Sequence, residues 1–565
     1  MGGRRPAPLA VAALAVAAVV ALPAFVVVIH LFLPDEGAWR HIAAVLLPSY
    51  LGNSLLLGAG TAAGVLGIGL ATAWLVAMCR FPGRRFFEWA LVLPLAFPAY
   101  VIAYTYTDML QVAGPVQSWI REVTGWSARD YWFPEIRSLG GAVAMMSLVL
   151  YPYVYLLGRV AFIRQSRGVL DAARTLGCGP WGAFFRVALP MARPALVAGV
   201  LLALMETLAD FGTVAYFGVP VFTTGIYRAW FSLGDPVSAA KLSAVLLGLV
   251  LLLVAAERWN RGSMRFHQTG AASGDRAGYR LAGWRAAAAA GACALPLAFG
   301  FLLPAGRLLW LTLVSGDAQF GPRYLGLVAN SAGLAAVAAI VAVVAALVVA
   351  YGRRLLPGRL MGATHRLAGL GYAIPGSVIA VGVLIPLAAA DLGLRTAMQA
   401  WFGVELGLVL TGGVLGLVFA YVARFLAVSL HTVDAGLAGI TPSMDMAARS
   451  LGHGPGATLR RVHGPMLRGS LLTAGLIVFV EVMKELPATI ILRPFDFDTL
   501  AVQAYKLAAD ERLAEASTAS LAIVAAGVLP VLLLARQVAS PRRRREHGGM
   551  PVAAAMPAAD AAARL

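Results

Sequence analysis

The sequence is poor in charge, in lysine and in cysteine. Only 13% of its 565 residues are charged, about half of the share typical of a soluble domain, which excludes an ordinary soluble fold. The three cysteines form no CxxC pair, and this excludes a disulfide framework and gives no support to a zinc site. None of the three lysines lies in a GxxxxGK[ST] sequence, so the chain carries no Walker A loop with which to hydrolyse ATP. The eight histidines are scattered, which gives no support to a membrane-embedded enzyme or an assigned metal site.

Long apolar runs are what the sequence has in abundance. Hydrophobic residues make up 60% of the chain, and its mean hydropathy is +0.79. Runs of about 20 apolar residues recur along the whole length, which predicts an all-α polytopic membrane protein of about 12 transmembrane helices. We expect the first run to be a retained span, because it is too long for the core of a cleaved signal peptide. The predicted spans are 9–33, 51–79, 87–112, 141–163, 195–216, 238–256, 286–314, 329–351, 364–389, 407–430, 469–492 and 517–536.

Basic residues are concentrated in the loops on the side of the two termini. Those loops hold most of the 45 lysines and arginines. The positive-inside rule therefore predicts that both termini are cytoplasmic in a bacterial inner membrane. This distribution accounts for the net charge of +18 without nucleic acid as a partner, and it leaves the lipid bilayer as the expected surroundings.

The two halves of the chain repeat one another in order and direction. The pair Asn53-Ser54 returns 277 positions later as Asn330-Ser331, since 330 − 53 = 277. Each half has six predicted spans, an even number, so both halves insert in the same direction and the repeat is parallel rather than inverted. The predicted domains are a first half at 1–256, a polar cytoplasmic linker at 257–285, a second half at 286–539, and a basic tail at 540–565 that is expected to be disordered.

A polar, glycine-broken segment lies between the fourth and fifth spans of each half. The first loop, DAARTLGCGPWGAFFRVALP, is 171–190, and the second loop, MAARSLGHGPGATLRRVHGP, is 446–465. Asp171 can cap a short helix, Gly177 breaks it, and Pro190 is expected to end a second short helix before the fifth span. We therefore predict a helix–turn–helix on the cytoplasmic surface of each half. One such segment would most simply anchor the bundle, but two at equivalent places favour contact with a soluble partner.

These two loops resemble the EAA motif of the permeases of ABC importers. The matching residues of the first loop are Asp171, Ala172, Ala173, Gly177 and Pro190. Those of the second loop are Ala447, Ala448, Gly452 and Pro465, with Met446 at the position of the acid and Asp445 one residue earlier. The resemblance implies that both loops dock on a homodimeric ATPase subunit, which hydrolyses ATP and transmits its closure to the membrane helices. It also implies that this chain is a transport subunit and not an enzyme.

Acidic residues lie within the fifth span of each half. Glu206 and Asp210 in the first half, and Glu481 and Glu485 in the second, are each spaced i, i+4, which places both carboxylates on one helix face. An acid near the middle of a membrane costs at least ~2.5 kcal/mol unless it faces water or a partner. We therefore expect a carboxylate-lined translocation path suited to a hard cation. The alternative is polar packing between helices, with Lys484 neutralising one acid. From the third span we add Tyr104 and Asp108 to the predicted path.

Longer stretches resemble the double-length permeases of ferric-iron importers. They are PAYVIAYTYTDML at 98–110, TLADFGTVAYFGVPVFTTGIYRAWF at 207–231 and KELPATIILRPFDFDTLA at 484–501. The resemblance implies that Fe(III) is the substrate and that a periplasmic binding protein delivers it. Permeases for thiamine, phosphonate, sulfate and polyamines share this architecture and remain alternatives. An ion-driven secondary transporter, with the acids as proton relays, is disfavoured because it has no use for the two loops.

Overall fold

The computed structural model describes residues 7–34, 38–165, 173, 175–262, 279–314, 321–405 and 407–539. Most of these residues are helical, and the strands among them are β1 (Cys79–Arg80) and β2 (Tyr279–Arg280), which pair in parallel. The α-helices are α1 (Ala7–His30), α2 (Ala38–His41), α3 (Leu47–Met78), α4 (Arg84–Ala90), α5 (Ala99–Leu110), α6 (Pro115–Thr124), α7 (Leu139–Arg164), α8 (Pro180–Ala183), α9 (Leu189–Ala209), α10 (Gly212–Tyr216), α11 (Phe222–Tyr227), α12 (Pro236–Gly262), α13 (Trp284–Leu297), α14 (Leu303–Val314), α15 (Pro322–Leu355), α16 (Arg359–Ala368), α17 (Gly376–Phe402), α18 (Leu415–Ala438), α19 (Pro442–Ser450), α20 (Pro455–Thr458), α21 (Gly464–Met483), α22 (Pro487–Leu492), α23 (Leu500–Ala509) and α24 (Leu513–Ala539).

The described residues include eleven helical segments that are long and apolar enough to cross a membrane. A twelfth results if two helices bent by 91° count as one span. The prediction of an all-α polytopic membrane protein is therefore confirmed. The predicted tail, 540–565, lies outside the described residues, and so does residue range 263–278 of the predicted linker.

The bent pair corresponds to the predicted third span, 87–112. Its break separates Arg84–Ala96 from Ala99–Thr124. Phe97 and Pro98 are extended at this point, because a residue that precedes proline is pushed out of the α region and proline has no N–H group to donate. The chain can thus change direction sharply inside an apolar stretch that periodicity alone presents as one span.

Proline widens the long helices of this chain without ending them. The prediction that Pro190 ends a short helix is wrong, because the helix continues from Pro180 to Ala209 through a π turn at Phe184–Ala188. The carbonyl of Arg186 lies four residues before this proline, and the wider turn relieves its clash with the proline ring. The same arrangement recurs at the π turns 42–46, 298–302 and 459–463, which precede Pro48, Pro304 and Pro465.

The first span of each half packs against the other half. Helix α1 contacts α15, α16 and α17 of the second half, and α14 contacts α5 of the first half. The approach is very close at Gly382 in α17, where a Cβ atom would lie 2.2 Å from the carbonyl oxygen of Pro23 in α1. Only glycine allows two backbones to approach so closely. The two halves therefore form one interlocked bundle.

The repeated Asn-Ser pair holds the segment that follows the fifth span in each half. Ser54 Oγ in α3 accepts a hydrogen bond from the N–H of Phe222 at 3.4 Å, and Ser331 Oγ in α15 accepts one from the N–H of Leu500 at 2.8 Å. The asparagine before each serine donates its side-chain amide to the carbonyl two residues before that N–H group. Phe222 and Leu500 begin α11 and α23, so each serine satisfies an N–H group that has no partner in its own helix. The sequence repeat is thus also a repeat of structure.

Candidate functional site

The fifth span of each half is broken at an acid that the sequence singles out. Asp210 lies between α9 and α10, and Glu485 lies between α21 and α22. Asp210 Oδ1 accepts a hydrogen bond from the N–H of Thr213 at 3.0 Å, and Glu485 Oε1 accepts one from the N–H of Ala488 at 2.9 Å. Each acid therefore caps the short helix that follows it, and this fixes the carboxylate at the break.

One cavity brings the four predicted carboxylates together. It has a volume of about 100 Å³ and is lined by Glu206, Asp210, Glu481 and Glu485. Apolar side chains complete the wall, among them Phe97, Met146, Val149 and Leu150 of the first half and Phe425 of the second. A space of this size holds several water molecules. The hydroxyl of Tyr372, in the second half, donates to Glu206 Oε1 at 2.7 Å, so the two halves are hydrogen-bonded to each other at the cavity.

Two cations lie among these acids. Lys484 Nζ is 2.8 Å from Glu481 Oε1, which is the neutralisation that the alternative interpretation of the span expects. Arg424 in α18 was missed by the sequence analysis, and its Nη1 is 2.9 Å from Glu485 Oε1. The signal that could have found Arg424 is its position as the one charged residue of the predicted span 407–430. An ionisable side chain inside a membrane span is rare and normally has a partner.

Tyr104 and Asp108, the predicted contributions of the third span, lie outside this cavity. The hydroxyl of Tyr104 is 2.6 Å from Ser520 Oγ, and Asp108 Oδ2 accepts a hydrogen bond from Arg307 Nε at 2.6 Å. Both contacts join α5 to helices of the second half. Tyr100, one helical turn before Tyr104, lines the cavity instead.

Carboxylates outnumber cationic side chains in the wall of the cavity. Four carboxylates and two cations line it, which leaves two negative charges in excess when all six groups are ionised. Among the described residues, no three histidine, cysteine, aspartate or glutamate side chains are grouped so that they could hold a metal ion. The geometry is thus that of a polar chamber between the two halves.

The two loops share one backbone conformation at their glycines. Gly177 and Gly452 have φ angles of 82° and 77°, in the left-handed region that other residues rarely adopt. In each loop the N–H of the next residue donates to the carbonyl five residues before it, at 3.0 Å. This is the Schellman arrangement that ends a helix. Asp171 and Ala172 of the first loop lie outside the described residues.

Apolar side chains are exposed on both loops next to these glycines. Leu176 and Leu451 are 84% and 75% exposed, and Trp181 is 74% exposed. Ala173 and Ala448 are buried against their own chain. The exposed residues of the predicted motif are Gly177, Pro190, Ala447, Gly452 and Pro465. The exposed leucines occupy equivalent places, whereas Trp181 corresponds to Gly456, so the described parts of the two loops share the leucine but not the aromatic side chain.

Asp445 forms polar contacts between the second loop and the rest of its half. Its Oδ2 lies 2.9 Å from Arg354 Nη2 at the end of α15, and its Oδ1 lies 2.7 Å from His463 Nε2. Met446, at the position of the motif's acid, is exposed. The acid of the second loop therefore faces its own chain, and a methionine takes its place at the surface.

Known proteins that resemble this chain are membrane components of transport systems. Residues 63–261 match the family described as binding-protein-dependent transport system inner membrane component. The Fe(3+)-transport system permease protein FbpB 2 of Haemophilus influenzae is 24% identical over 515 residues, which cover 88% of this chain and 92% of that protein.

Two shorter relatives cover about a third of this chain. The molybdenum transport system permease protein ModB of Escherichia coli strain K12 is 30% identical over 201 residues, 34% of this chain and 84% of that protein. The sulfate transport system permease protein CysT of the same strain is 30% identical over 191 residues, 33% of this chain and 66% of that protein. With the apolar helices and the family match, this similarity shows that the chain belongs to the binding-protein-dependent transport system inner membrane components.

Proposed function

We propose that this chain is the permease subunit of an ATP-driven importer and that its substrate is ferric iron, delivered by a periplasmic binding protein. The observation that carries the substrate is the cavity in which four carboxylates outnumber two cations, because hard cations prefer oxygen ligands. The similarity to FbpB 2, named for Fe(3+) transport, extends over both halves and supports the same substrate. An excess of negative charge disfavours an anion such as sulfate.

The two loops provide the coupling to ATP hydrolysis in this proposal. A homodimeric ATPase has two equivalent surfaces, and the loops at 171–190 and 446–465 each offer it a left-handed glycine with an exposed leucine before it. The excess of basic residues on the side of the termini supports a cytoplasmic position for the loops and for both termini.

The broken fifth spans supply the moving parts. The halves at 1–256 and 286–539 meet at the cavity, where each fifth span changes from a long helix to a short one. Discontinuous helices of this kind surround the substrate sites of many transporters, and rocking of one half against the other then opens the site to alternate sides. ATP binding would bring the loops together, and hydrolysis would release them.

Uptake of radioactive ferric iron tests this proposal. Cells that lack their own ferric permeases would express this chain with its ATPase and binding protein, as wild type, Gly177→Asp and Gly179→Asp. Both glycines have open space around them, but only Gly177 has a positive φ. We expect uptake by the wild type, its loss in Gly177→Asp, and its retention in Gly179→Asp, with equal amounts of each protein in the membrane.

Two other results would change the assignment. If an assembled wild-type complex takes up no iron, the substrate is wrong, and phosphonate, thiamine and polyamine uptake would be measured next. If iron uptake continues without the ATPase subunit, the ATP-driven mechanism is wrong, and an ion-driven transporter replaces it.

A further inference from the structure

We infer that the transported cation is held by the first half of the cavity, through Glu206, Asp210 and the hydroxyl of Tyr100. Arg424 and Lys484 neutralise the acids of the second half and so keep the cation on the other side. This inference rests on the proposed function, because it assigns residues to the passage of a cation. It makes the two halves of a symmetric-looking cavity electrically different.

The cations of the cavity do not follow the repeat that relates its acids. Glu206 and Glu481 are 275 positions apart, since 481 − 206 = 275. Counted back by the same number, Arg424 corresponds to Val149 and Lys484 to Ala209. Both of these apolar residues also line the cavity. The positive charges are therefore confined to the wall that the second half contributes.

Each acid of the second half is paired with a cation, and Glu485 has further hydrogen-bond donors as well. Glu485 is 4% exposed, and it accepts hydrogen bonds from Arg424 at 2.9 Å, from the N–H of Ala488 at 2.9 Å, and from the N–H and hydroxyl of Thr489 at 3.0 and 2.6 Å. Glu481 is paired with Lys484 at 2.8 Å. An entering cation would have to compete with a tethered positive charge at both carboxylates.

The acids of the first half have no cation within hydrogen-bonding distance among the described residues, and Arg424 acts on Glu206 only as a second, more distant charge after Glu485. Glu206 accepts one hydrogen bond, from the neutral hydroxyl of Tyr372. Asp210 accepts hydrogen bonds from Thr213 and from the N–H of Val214. Both carboxylates thus accept hydrogen bonds from neutral donors only, and their charges are less fully compensated than those of the second-half acids.

Tyr100, a residue of the first half, is an independent indication that a ligand binds in the cavity. It is 4% exposed and lines the cavity, and its hydroxyl has no hydrogen-bond partner in the described part of the chain. The tyrosine lies close enough to Glu485 and to Asp210 for an electrostatic interaction with each of them. A buried hydroxyl without a partner costs free energy, so the position favours an occupant that brings one. A cation or its bound water supplies that partner.

The small number of ligands suits a site that binds the cation only briefly during transport. Two carboxylates and one hydroxyl are few ligands for an ion that otherwise takes six or more oxygens, and the described residues hold no group of three metal-ligating acids, histidines or cysteines. A path must bind its ion well enough to admit it and weakly enough to release it. The second-half pairs contribute by closing two of the four carboxylates to the ion.

The test measures iron moved per ATP hydrolysed in proteoliposomes that contain this chain and its ATPase, with iron-loaded binding protein at saturation. Glu206→Gln and Asp210→Asn remove charge but keep an acceptor oxygen for the existing hydrogen bonds. The matched second-half comparison is the double variant Glu481→Gln/Lys484→Met, which removes an ion pair without leaving a lone charge. We expect the first-half variants to lower iron per ATP about tenfold while ATP hydrolysis stays near wild type, and we expect the second-half variant to lower iron per ATP by clearly less than the first-half variants do.

A second matched pair tests the tyrosine. Tyr100→Phe removes a hydroxyl that has no partner in the protein, and Tyr104→Phe removes one that contacts Ser520 outside the cavity. We expect Tyr100→Phe to lower iron per ATP severalfold and Tyr104→Phe to leave the ratio unchanged.

The outcomes separate this inference from the proposed function. The inference is overturned, and the proposed function stands, if the wild type moves iron but the Glu206 and second-half variants lower iron per ATP by the same factor. The same conclusion follows if Tyr100→Phe moves as much iron per ATP as the wild type. If the wild type moves no iron at the expense of ATP, the proposed function fails and the inference falls with it.

Discussion

Replacing Gly452 by alanine tests the proposal that the ATPase subunit binds the backbone turn of the second loop. A Cβ at Gly452 would meet no atom within 4 Å, and φ there is 77°. The free-energy cost of Gly452→Ala is therefore purely conformational, about 1–2 kcal/mol for an L-residue in the left-handed region. If the partner binds only the turn seen here, that cost weakens its affinity by a factor of about 5–30. Gly177 has a φ of 82°, so we expect Gly177→Ala to weaken the affinity of the first loop by an equal factor.

The assay is the affinity of the isolated ATPase subunit for this chain in lipid nanodiscs. Gly454→Ala and Gly179→Ala are the matched controls, because these glycines also have open space but no positive φ. We expect both controls to bind as wild type, and Gly452→Asn to recover part of the lost affinity because asparagine tolerates the left-handed region. Equal losses at Gly452 and Gly454, or none at either, would refute the reasoning.

The remaining predictions concern stability and local order. Ser331→Ala removes the acceptor for the first N–H of α23 and should lower the free energy of unfolding by about 1 kcal/mol, measured by thermal unfolding in detergent. Gly382→Ala forces α1 and α17 apart and should cost about 1–3 kcal/mol in the same measurement. Gly393→Ala, in open space on the same helix, should instead stabilise by up to about 1 kcal/mol. Asp391 accepts hydrogen bonds from the N–H groups of residues 409–411, so Asp391→Leu should speed hydrogen exchange there, and unchanged exchange would contradict the contact.

Apolar runs and the internal repeat were sufficient to predict the helical fold of this chain. A span of about 20 apolar residues has few alternatives in a membrane, and an acid inside one is conspicuous because of its cost. Glu206 and Glu481 were therefore recognisable from sequence alone. Arg424 obeyed the same rule and could have been found by it.

The sequence did not predict which face of each helix lines the cavity or where the helices break. Tyr100 and Tyr104 are one turn apart in α5, and only the packing of that helix decides that Tyr100 lines the cavity. The role of Asp210 as a helix cap depends on the break after Ala209, where no proline signals an end. The expectation for Pro190 was wrong because a π turn absorbs the proline's missing bond, which a local rule does not foresee.

The confinement of Arg424 and Lys484 to one wall has a consequence for why the two halves are one chain. In an assembly of two identical subunits every residue occurs twice, so each cation introduced beside an acid would appear on both sides. Four acids would then face four cations, and the chamber would be neutral. Separate coding of the two halves lets one wall keep Val149 and Ala209 while the other carries positive charge. Two different halves in one chain thus permit a difference in charge between the two walls of the cavity, which a symmetric dimer cannot encode.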